Sequence, residues 1–302
     1  HDQERYEHKY EYCDLLITGS GPSGLASAYA AAKNGARVIL AEDKPRFGGS
    51  LLSSEVTIGN QSGQEWTEKI ISELKTMSNV IVKNRSQVFG YYDHNMLVMS
   101  ERVSDHLPKT NKYSPKQRLW YIRAKEVIIS SGSIERPLVF GNNDTPGVML
   151  SSAAKEYLKV YGVLVGKKPL IFTNNDSGYE TAIEFKKNGI NPFILDTRID
   201  PNSEIINEAK SLNIDIKFSH VVVAAKGYKK VRSADIAKIS DDKKQLGQIE
   251  NVNCDCICVS GFWTPTIHLA SQSGNKTKFN DEIDAFVPSQ SKQKETTLGS
   301  AN

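Results

Sequence analysis

The sequence predicts an α/β fold made of two related β-α-β units, the second set inside the first. Three observations predict it. A strand, a glycine-rich turn and a helix follow one another between residues 13 and 33. The same pattern returns over 169–187 in gapless alignment. Gly24, Lys33-Asn34-Gly35 and Glu42 reappear at one constant offset as Gly178, Lys187-Asn188-Gly189 and Asp196. Finally, 302 residues with 39% hydrophobic content suit two domains that bury their cores without disulfides or metals.

Taken in order, residues 13–18 form a β-rich run that stops at glycine. Residues 23–33 carry Ala, Leu and Tyr at helical density and end at the helix-stop signal Asn34-Gly35. A strand over 37–41 runs into Glu42-Asp43, which completes a parallel crossover of about thirty residues. A helix over 64–77 and a strand over 80–83 follow, then strands over 88–92, 96–102 and 118–124. The polar, proline-containing stretch 107–116 reads as an exposed turn, and 126–130 as a buried strand ending in Ser131-Gly132. Residues 141–147 are a connection and 151–161 a helix. The repeat then supplies a strand at 169–173, a helix at 177–187 and a strand at 192–196. A helix at 203–212 precedes strands at 215–218, 221–225 and 248–252. A buried strand at 254–259 leads to Gly261, and the tail from Ser289 is polar with a last Gly299.

Composition excludes several classes. Net charge is +3, so nothing calls for nucleic acid or an anionic membrane. Apolar runs are strand-length, too short for a membrane span. Residues 1–12 are polar with no signal core, and the four cysteines do not form an extracellular framework, so a cytoplasmic setting is expected. A start at His1 rather than Met is what a piece of a longer chain would show.

The run Gly19-Ser20-Gly21-Pro22-Ser23-Gly24 follows a strand and opens a helix, and in that context each glycine has a task. Gly19 makes the tight turn, Gly21 lets a pyrophosphate approach the backbone, and Gly24 lets helix and strand pack closely. The phosphate charge then falls on the helix N-terminus. Glu42, beside Asp43, stands where an acid accepts hydrogen bonds from ribose hydroxyls, which favours FAD or NAD over NADP. Lys44 and Arg46 moderate that preference. The second copy, Thr173-Asn174-Asn175-Asp176-Ser177-Gly178, keeps only the packing glycine. Asn175 stands where close phosphate approach needs no side chain, and Asp176 is placed to cap the helix in competition with a phosphate. The first site is therefore expected to hold a dinucleotide and the second to serve as scaffold, although Asp196 preserves the strand-end acid.

These residues, with Gly48-Gly49, resemble the first half of a two-dinucleotide-domain flavoprotein of the disulfide-reductase type. Ser130-Ser131-Gly132-Ser133 with Arg136-Pro137 resembles that family's second crossing strand. A narrower resemblance lies in Val88-Phe89-Gly90-Tyr91-Tyr92-Asp93, Glu135-Arg136-Pro137, Phe140-Gly141-Asn142-Asn143-Asp144 and Pro146-Gly147. Thr173–Ser177, Gly261-Phe262-Trp263-Thr264-Pro265, His268-Leu269 and Ala285-Phe286-Val287-Pro288 continue it. These strings are similar to the α subunit of heterotetrameric sarcosine oxidase from Tyr6 onward.

The resemblance implies two Rossmann-like dinucleotide-binding domains, the second inserted in the first. Expected bounds are a polar arm over 1–12, a first domain of 13–148 plus 253–302, and a degenerate second domain over 149–252. It implies a parent enzyme that oxidises sarcosine to glycine, passes the one-carbon unit to tetrahydrofolate and reduces oxygen to peroxide. The catalytic flavin is then largely the partner β subunit's, and a C-terminal folate domain lies beyond this region. NAD is the expected occupant here, with FAD the alternative at the same site. The resemblance adds Ser20, Pro22, Ser23, Gly49, Ser50, Leu51, Val88, Ser131 and Gly132 to the cofactor-contacting set, and the last such glycine segment begins at Asn302. Arg136, just past the crossing strand, is open between a phosphate or carboxylate clamp and a structural ion pair.

The remaining chemistry-bearing residues read more plainly. Cys254, Cys256 and Cys258 alternate along one strand face and suit burial better than a metal, since no fourth ligand accompanies them. No Cys-x-x-Cys supports thiol relay chemistry. His268 is open between proton handling and a local hydrogen bond. His1, His8, His94, His106 and His220 are scattered, and the paired lysines at 167–168, 186–187, 229–230 and 243–244 read as solvated surface. Trp120, Tyr121 and Trp263 read as core or subunit-contact residues. No catalytic residue is assigned. Other readings that stay open are a stand-alone FAD/NAD(P)H oxidoreductase, a subunit of an opine or proline dehydrogenase, and a scaffold with an empty cradle.

Overall fold

A computed structural model describes residues 5–111, 113–242 and 244–302. His1 and Lys243 lie outside the described residues. The chain divides into two units, one of 1–134 with 265–302 and one of 135–264.

The first unit begins with β1 (Tyr6–Thr18), α1 (Pro22–Lys33) and β2 (Val38–Ala41). A short 3-10 turn (Gly49–Leu52) and the small pair β3 (Thr57–Ile58) and β4 (Gln61–Ser62) lead to α2 (Gly63–Thr76). Ser62 and Glu65 close a reciprocal capping box on α2. There follow β5 (Val80–Lys83), β6 (Ser86–Tyr92), β7 (Met96–Arg102) and β8 (Gln117–Ile129). The sheet order is β5-β2-β1-β8-β7-β6. Its first four strands are parallel, whereas β6, β7 and β8 form an antiparallel meander.

The crossing segment β9 (Ser133–Glu135) leads to β10 (Val148–Leu150), α3 (Ser151–Tyr161), β11 (Pro169–Thr173), α4 (Ser177–Lys187), β12 (Phe193–Asp196), α5 (Glu204–Ser211) and β13 (Asp215–Phe218). An antiparallel meander of β14 (His220–Lys226), β15 (Ser233–Ile239) and β16 (Leu246–Asn253) follows, then β17 (Cys256–Ser260) and the second crossing segment β18 (Trp263–Pro265). The sheet of this unit runs β10-β17-β11-β12-β13, all parallel. The chain ends with α6 (His268–Gln272), the hairpin β19 (Lys276–Asn280) and β20 (Ala285–Gln290), and β21 (Glu295–Thr297), which joins β8 in parallel.

Two Rossmann-like units are present, and the second interrupts the first. The strand orders β5-β2-β1-β8-β21 and β13-β12-β11-β17 each place the first β-α-β unit beside a later parallel strand. Several bounds differ from expectation. The polar stretch 1–12 is not an arm from Tyr6 on, because twelve residues of β1, beginning there, lie in parallel register with β8. Residues 254–261 do not return to the first unit: all five residues of β17 are buried between β10 and β11. The division accordingly falls at 134 and 264 rather than 148 and 253. The separate strands expected at 118–124 and 126–130 are one, β8, and the polar tail contains β21.

Glu101 anchors the meander. It is 8% exposed, accepts the Trp120 indole N–H at 2.7 Å, and pairs with Lys83 at 2.8 Å and Arg118 at 3.1 Å. Burial pushes its carboxyl up, but hydrogen bonds from Lys83 and Trp120 and the charges of Lys83 and Arg118 outweigh that and hold it below its ordinary value. A lowered acid contributes stability above its unfolded value and loses it as pH falls through the folded one. Glu101→Gln is expected to cost about 2 kcal/mol near neutral pH. Urea unfolding should show that gap closing below about pH 4.

Candidate dinucleotide-binding site

The first turn is built from backbone in contact with backbone. Gly19 has φ +95°, and a Cβ there would lie 2.2 Å from the Ser130 carbonyl oxygen. A Cβ on Gly24 would lie 2.0 Å from the Gly19 carbonyl oxygen and 2.6 Å from Ser130 Oγ. Ser130 Oγ closes the joint by donating to the Thr18 and Gly19 carbonyls at 2.8 and 2.9 Å. Both glycines are therefore demanded by the protein's own packing.

Gly21 is different. A Cβ there would meet nothing within 4 Å, so no atom of the fold accounts for the missing side chain. It stands as N-cap of α1, and no side chain caps that helix, which begins at Pro22. Gly49 (φ +55°) supports it from behind, since a Cβ on Gly49 would come within 3.0 Å of Gly21 Cα. Open space over a glycine, beside an uncapped helix start, fits an incoming pyrophosphate.

Ser20 is fully buried and ties the turn together. Its N–H and Oγ donate to Glu42 Oε2 at 2.9 and 2.5 Å. Its carbonyl and Oγ accept from the Gly48 N–H at 3.0 and 3.2 Å, which fastens the Gly49–Leu52 turn. Glu42, 5% exposed at the end of β2, also accepts the Lys44 N–H on Oε1 at 3.0 Å. Burial pushes its carboxyl up, as does a hydrogen bond to Asp43, against the pull of Ser20 and Lys44.

Pro22, Ser50, Ser131, Asp43 and Lys44 are exposed; Ser23 and Gly132 are half-buried and Leu51 is buried. Val88 is half-buried against the cluster that contains Ala41. One segment escaped the sequence reading. A Cβ on Gly299 (φ +69°) would lie 2.7 Å from Ser23 Oγ, and Ser300 Oγ lies 3.8 Å from the Cβ position of Gly132. The Gly299–Ala301 turn thus reaches the start of α1. The lone glycine near the end was the available signal. Arg136 belongs to the second unit, where its N–H donates to the Phe262 carbonyl at 2.8 Å and its guanidinium lies 5.9 Å from the Phe262 ring.

The second turn is filled by its own side chains. Asn175 Oδ1 accepts the Ser177 N–H at 2.9 Å, and its amide nitrogen donates to Asn174 Oδ1 at 2.9 Å and the Ser260 carbonyl at 3.2 Å. Asn175, not Asp176, takes up the helix start, because the Asp176 carboxylate pairs with Arg198 at 2.8 Å. The same guanidinium pairs with fully buried Asp196 at 2.8 Å, which also accepts the Tyr179 hydroxyl at 2.7 Å. The helix start is thus occupied and the strand-end acid already paired, so this turn does not fit a nucleotide phosphate.

The cysteines behave as apolar fillers. Cys256 and Cys258 share one core cluster and Cys254 lies in the other, so the three do not share a face. Burial pushes the Cys13 and Cys254 thiols up to about 12. Among the described residues no group of three or more His, Cys, Asp or Glu could hold a metal. His268 is exposed at the start of α6. Among the described residues no helix is long and apolar enough to cross a membrane.

Comparison with known proteins agrees with this geometry. Residues 14–107 match the family described as FAD dependent oxidoreductase. The alpha chain of the sarcosine oxidase of Rhizobium meliloti (strain 1021) is 37% identical over 287 residues, 95% of this chain and 28% of that protein. An opine oxidase chain of Agrobacterium tumefaciens (strain Ach5) is 23% identical over 304 residues, 92% of this chain and 58% of that protein. The thioredoxin reductase of T. acidophilum superposes with a TM-score of 0.71 at 17% identity, covering 96% of this chain and 90% of that one, a likeness of fold. Residues 14–107 are thus similar to FAD-dependent oxidoreductases. The chain is a homologue of sarcosine oxidase alpha subunits, of whose length it spans less than a third.

Two substitutions separate the roles of the glycines. Gly21→Val is expected to leave the melting temperature near wild type and abolish dinucleotide retention, whereas Gly24→Ala should lower the melting temperature by several degrees. Thermal unfolding paired with nucleotide release by acid distinguishes them. In the second unit, Arg198→Met strands the buried Asp196 and should cost about 3 kcal/mol in denaturant unfolding, without changing nucleotide content.

Proposed function

We propose that this chain is the cofactor-holding region of a multi-subunit amine oxidase of the sarcosine oxidase type. The parent reaction converts sarcosine, oxygen and tetrahydrofolate to glycine, methylene-tetrahydrofolate and peroxide. The folate and flavin chemistry then resides on a folate-binding domain outside this chain and on a partner β subunit. The observation that carries the reading is Gly21, a glycine the fold does not need, opening onto space beside an uncapped helix start.

In this reading the first unit holds an adenine dinucleotide. The start of α1 faces the pyrophosphate, Gly21 keeps a side chain out of its way with Gly49 packed against it, and Glu42 accepts a ribose hydroxyl. The Gly299–Ala301 turn lies over the same helix start. NAD is the occupant that the sarcosine oxidase likeness favours. FAD is a second reading, favoured by the family match over residues 14–107, and the residues here address the half the two share. A bound nicotinamide or flavin supplies hydride-transfer chemistry. This chain contributes binding and orientation, and no residue of it is assigned to catalysis. The second unit is scaffold, because Asn175 sits in the phosphate position. The isolated chain is therefore not competent for amine oxidation, and its setting is cytoplasmic.

The test is the purified chain itself. Acid release followed by absorbance and mass should yield NAD in near-stoichiometric amount, with no NADH oxidation by the chain alone. Released flavin would turn the reading to FAD. Stoichiometric turnover of NADH, or no nucleotide at all, would overturn it.

A further inference from the structure

The string around Tyr91, the helix begun at His268 and the strand around Val287 take no part in the glycine turn. Within the first unit they converge on Glu295, the first residue of β21, which is 8% exposed. Its Oε1 accepts Ser273 Oγ at 2.5 Å and the Asn275 amide nitrogen at 3.2 Å. Ser273 is the C-cap of α6. Asn275 opens the β19–β20 hairpin, where it accepts the Ser289 N–H at 3.1 Å and donates to Ser291 Oγ at 3.2 Å. Tyr91 lies against the same carboxylate: burial, and then the charge of Glu295, pushes its hydroxyl up. The two residues before Glu295 are held as well. Gln293 Oε1 accepts the Asn95 N–H at 2.9 Å, and the Asn95 amide nitrogen donates to the Lys294 carbonyl at 3.1 Å. Tyr91, Asn95, Ser273 and Asn275 are all buried.

A buried carboxylate held by neutral donors is a costly way to fill space, and an apolar residue would fill it more cheaply. What the carboxylate adds is direction. Hydrogen bonds fix a strand along its own axis, where apolar contacts let it slide. β21 is three residues long and needs such a stop. Glu295 lies opposite Val127 and Thr297 opposite Ile129, and the Leu298 N–H donates to the Ile129 carbonyl at 2.9 Å. A slip of two residues would carry the following segment about 7 Å along β8. That segment is the Gly299–Ala301 turn, in which Ala301 is fully buried and a Cβ on Gly299 would lie 2.7 Å from Ser23 Oγ. We propose that Glu295 is a positioning residue for the dinucleotide: held by Ser273 and Asn275, it sets the register of β21 and so seats the Gly299–Ala301 turn at the start of α1. The inference rests on the reading that the first unit holds a dinucleotide there, and Glu295 acts on it through the turn.

Titration calorimetry of the nucleotide-stripped chain with NAD, and separately with FAD, tests the assignment. Glu295→Ala is expected to raise the Kd of whichever nucleotide the wild type binds about tenfold. Amide hydrogen exchange should quicken over residues 296–301, while α1 and α2 keep their wild-type protection. Glu295→Gln, whose amide oxygen accepts from both donors, should stay within about threefold of the wild type. Glu101→Gln, which loosens the same unit at Lys83 and Arg118, should leave the Kd unchanged. Ser273→Ala removes the closer donor alone and should raise the Kd about threefold, which keeps the test open if Glu295→Ala does not fold. Wild-type affinity in Glu295→Ala or Ser273→Ala, equal losses in Glu295→Gln and Glu295→Ala, or an equal loss in Glu101→Gln would overturn this inference and leave the nucleotide reading standing. A wild-type chain that takes up neither nucleotide would overturn that reading, and this inference with it.

Discussion

The site depends on one steric constraint: the backbone of three elements must meet with no side chain between them. The end of β1, the start of α1 and the end of β8 converge where a Cβ on Gly24 would come within 2.0 Å of the Gly19 carbonyl oxygen. Ser130 Oγ bridges the same carbonyls. From that joint the rest follows. Gly21 stands at the helix start, Ser20 is drawn inward to bind Glu42, and the Gly49–Leu52 turn is fastened against the glycines. Relaxing the joint would move the helix start, and with it the donors that a phosphate would use.

The two halves show how little separates a nucleotide cradle from a structural turn. Both place a parallel strand, a turn and a helix in the same order, and both retain the packing glycine, Gly24 or Gly178. The difference is one side chain in the phosphate position. Asn175 carries its own carbonyl to the helix start and its own amide to Ser260, so it performs internally what an anion would do from outside. The strand-end acids also differ in their partners. Asp196 is held by Arg198 and Tyr179, whereas Glu42 is held by Ser20 and the Lys44 N–H. The Asn175 contacts satisfy the second helix start from within the fold.

Much of this was legible in residue order. The parallel crossovers, the helices and the contrast between Gly21 and Asn175 follow from local pattern, since each rests on residues close in sequence. The failures share a cause. Tyr6–Tyr12 alternates aromatic with charged residues, a two-residue period that hydropathy alone hides, and its partner β8 lies a hundred residues away. Ser233–Ile239 carries the same alternation, with Ala234 and Ile236 buried, but its small side chains mute the signal. Arg136 lies in sequence beside the small residues of the crossing strand, yet its backbone pairs with Phe262. Asp176 is a good cap by composition, but a guanidinium two residues past the end of β12 outcompetes a helix terminus for its charge.

Sequence alone determined the two-unit α/β architecture, the glycine turn with its following acid, and the asparagine that stands in the second turn, because strand, turn and helix preferences act over a few residues. Tertiary structure alone decided that β17 completes the second sheet and that Gly299 reaches Ser23. Those outcomes depend on which distant strands share a ladder, and backbone hydrogen bonds carry no side-chain label by which a linear reading could assign them.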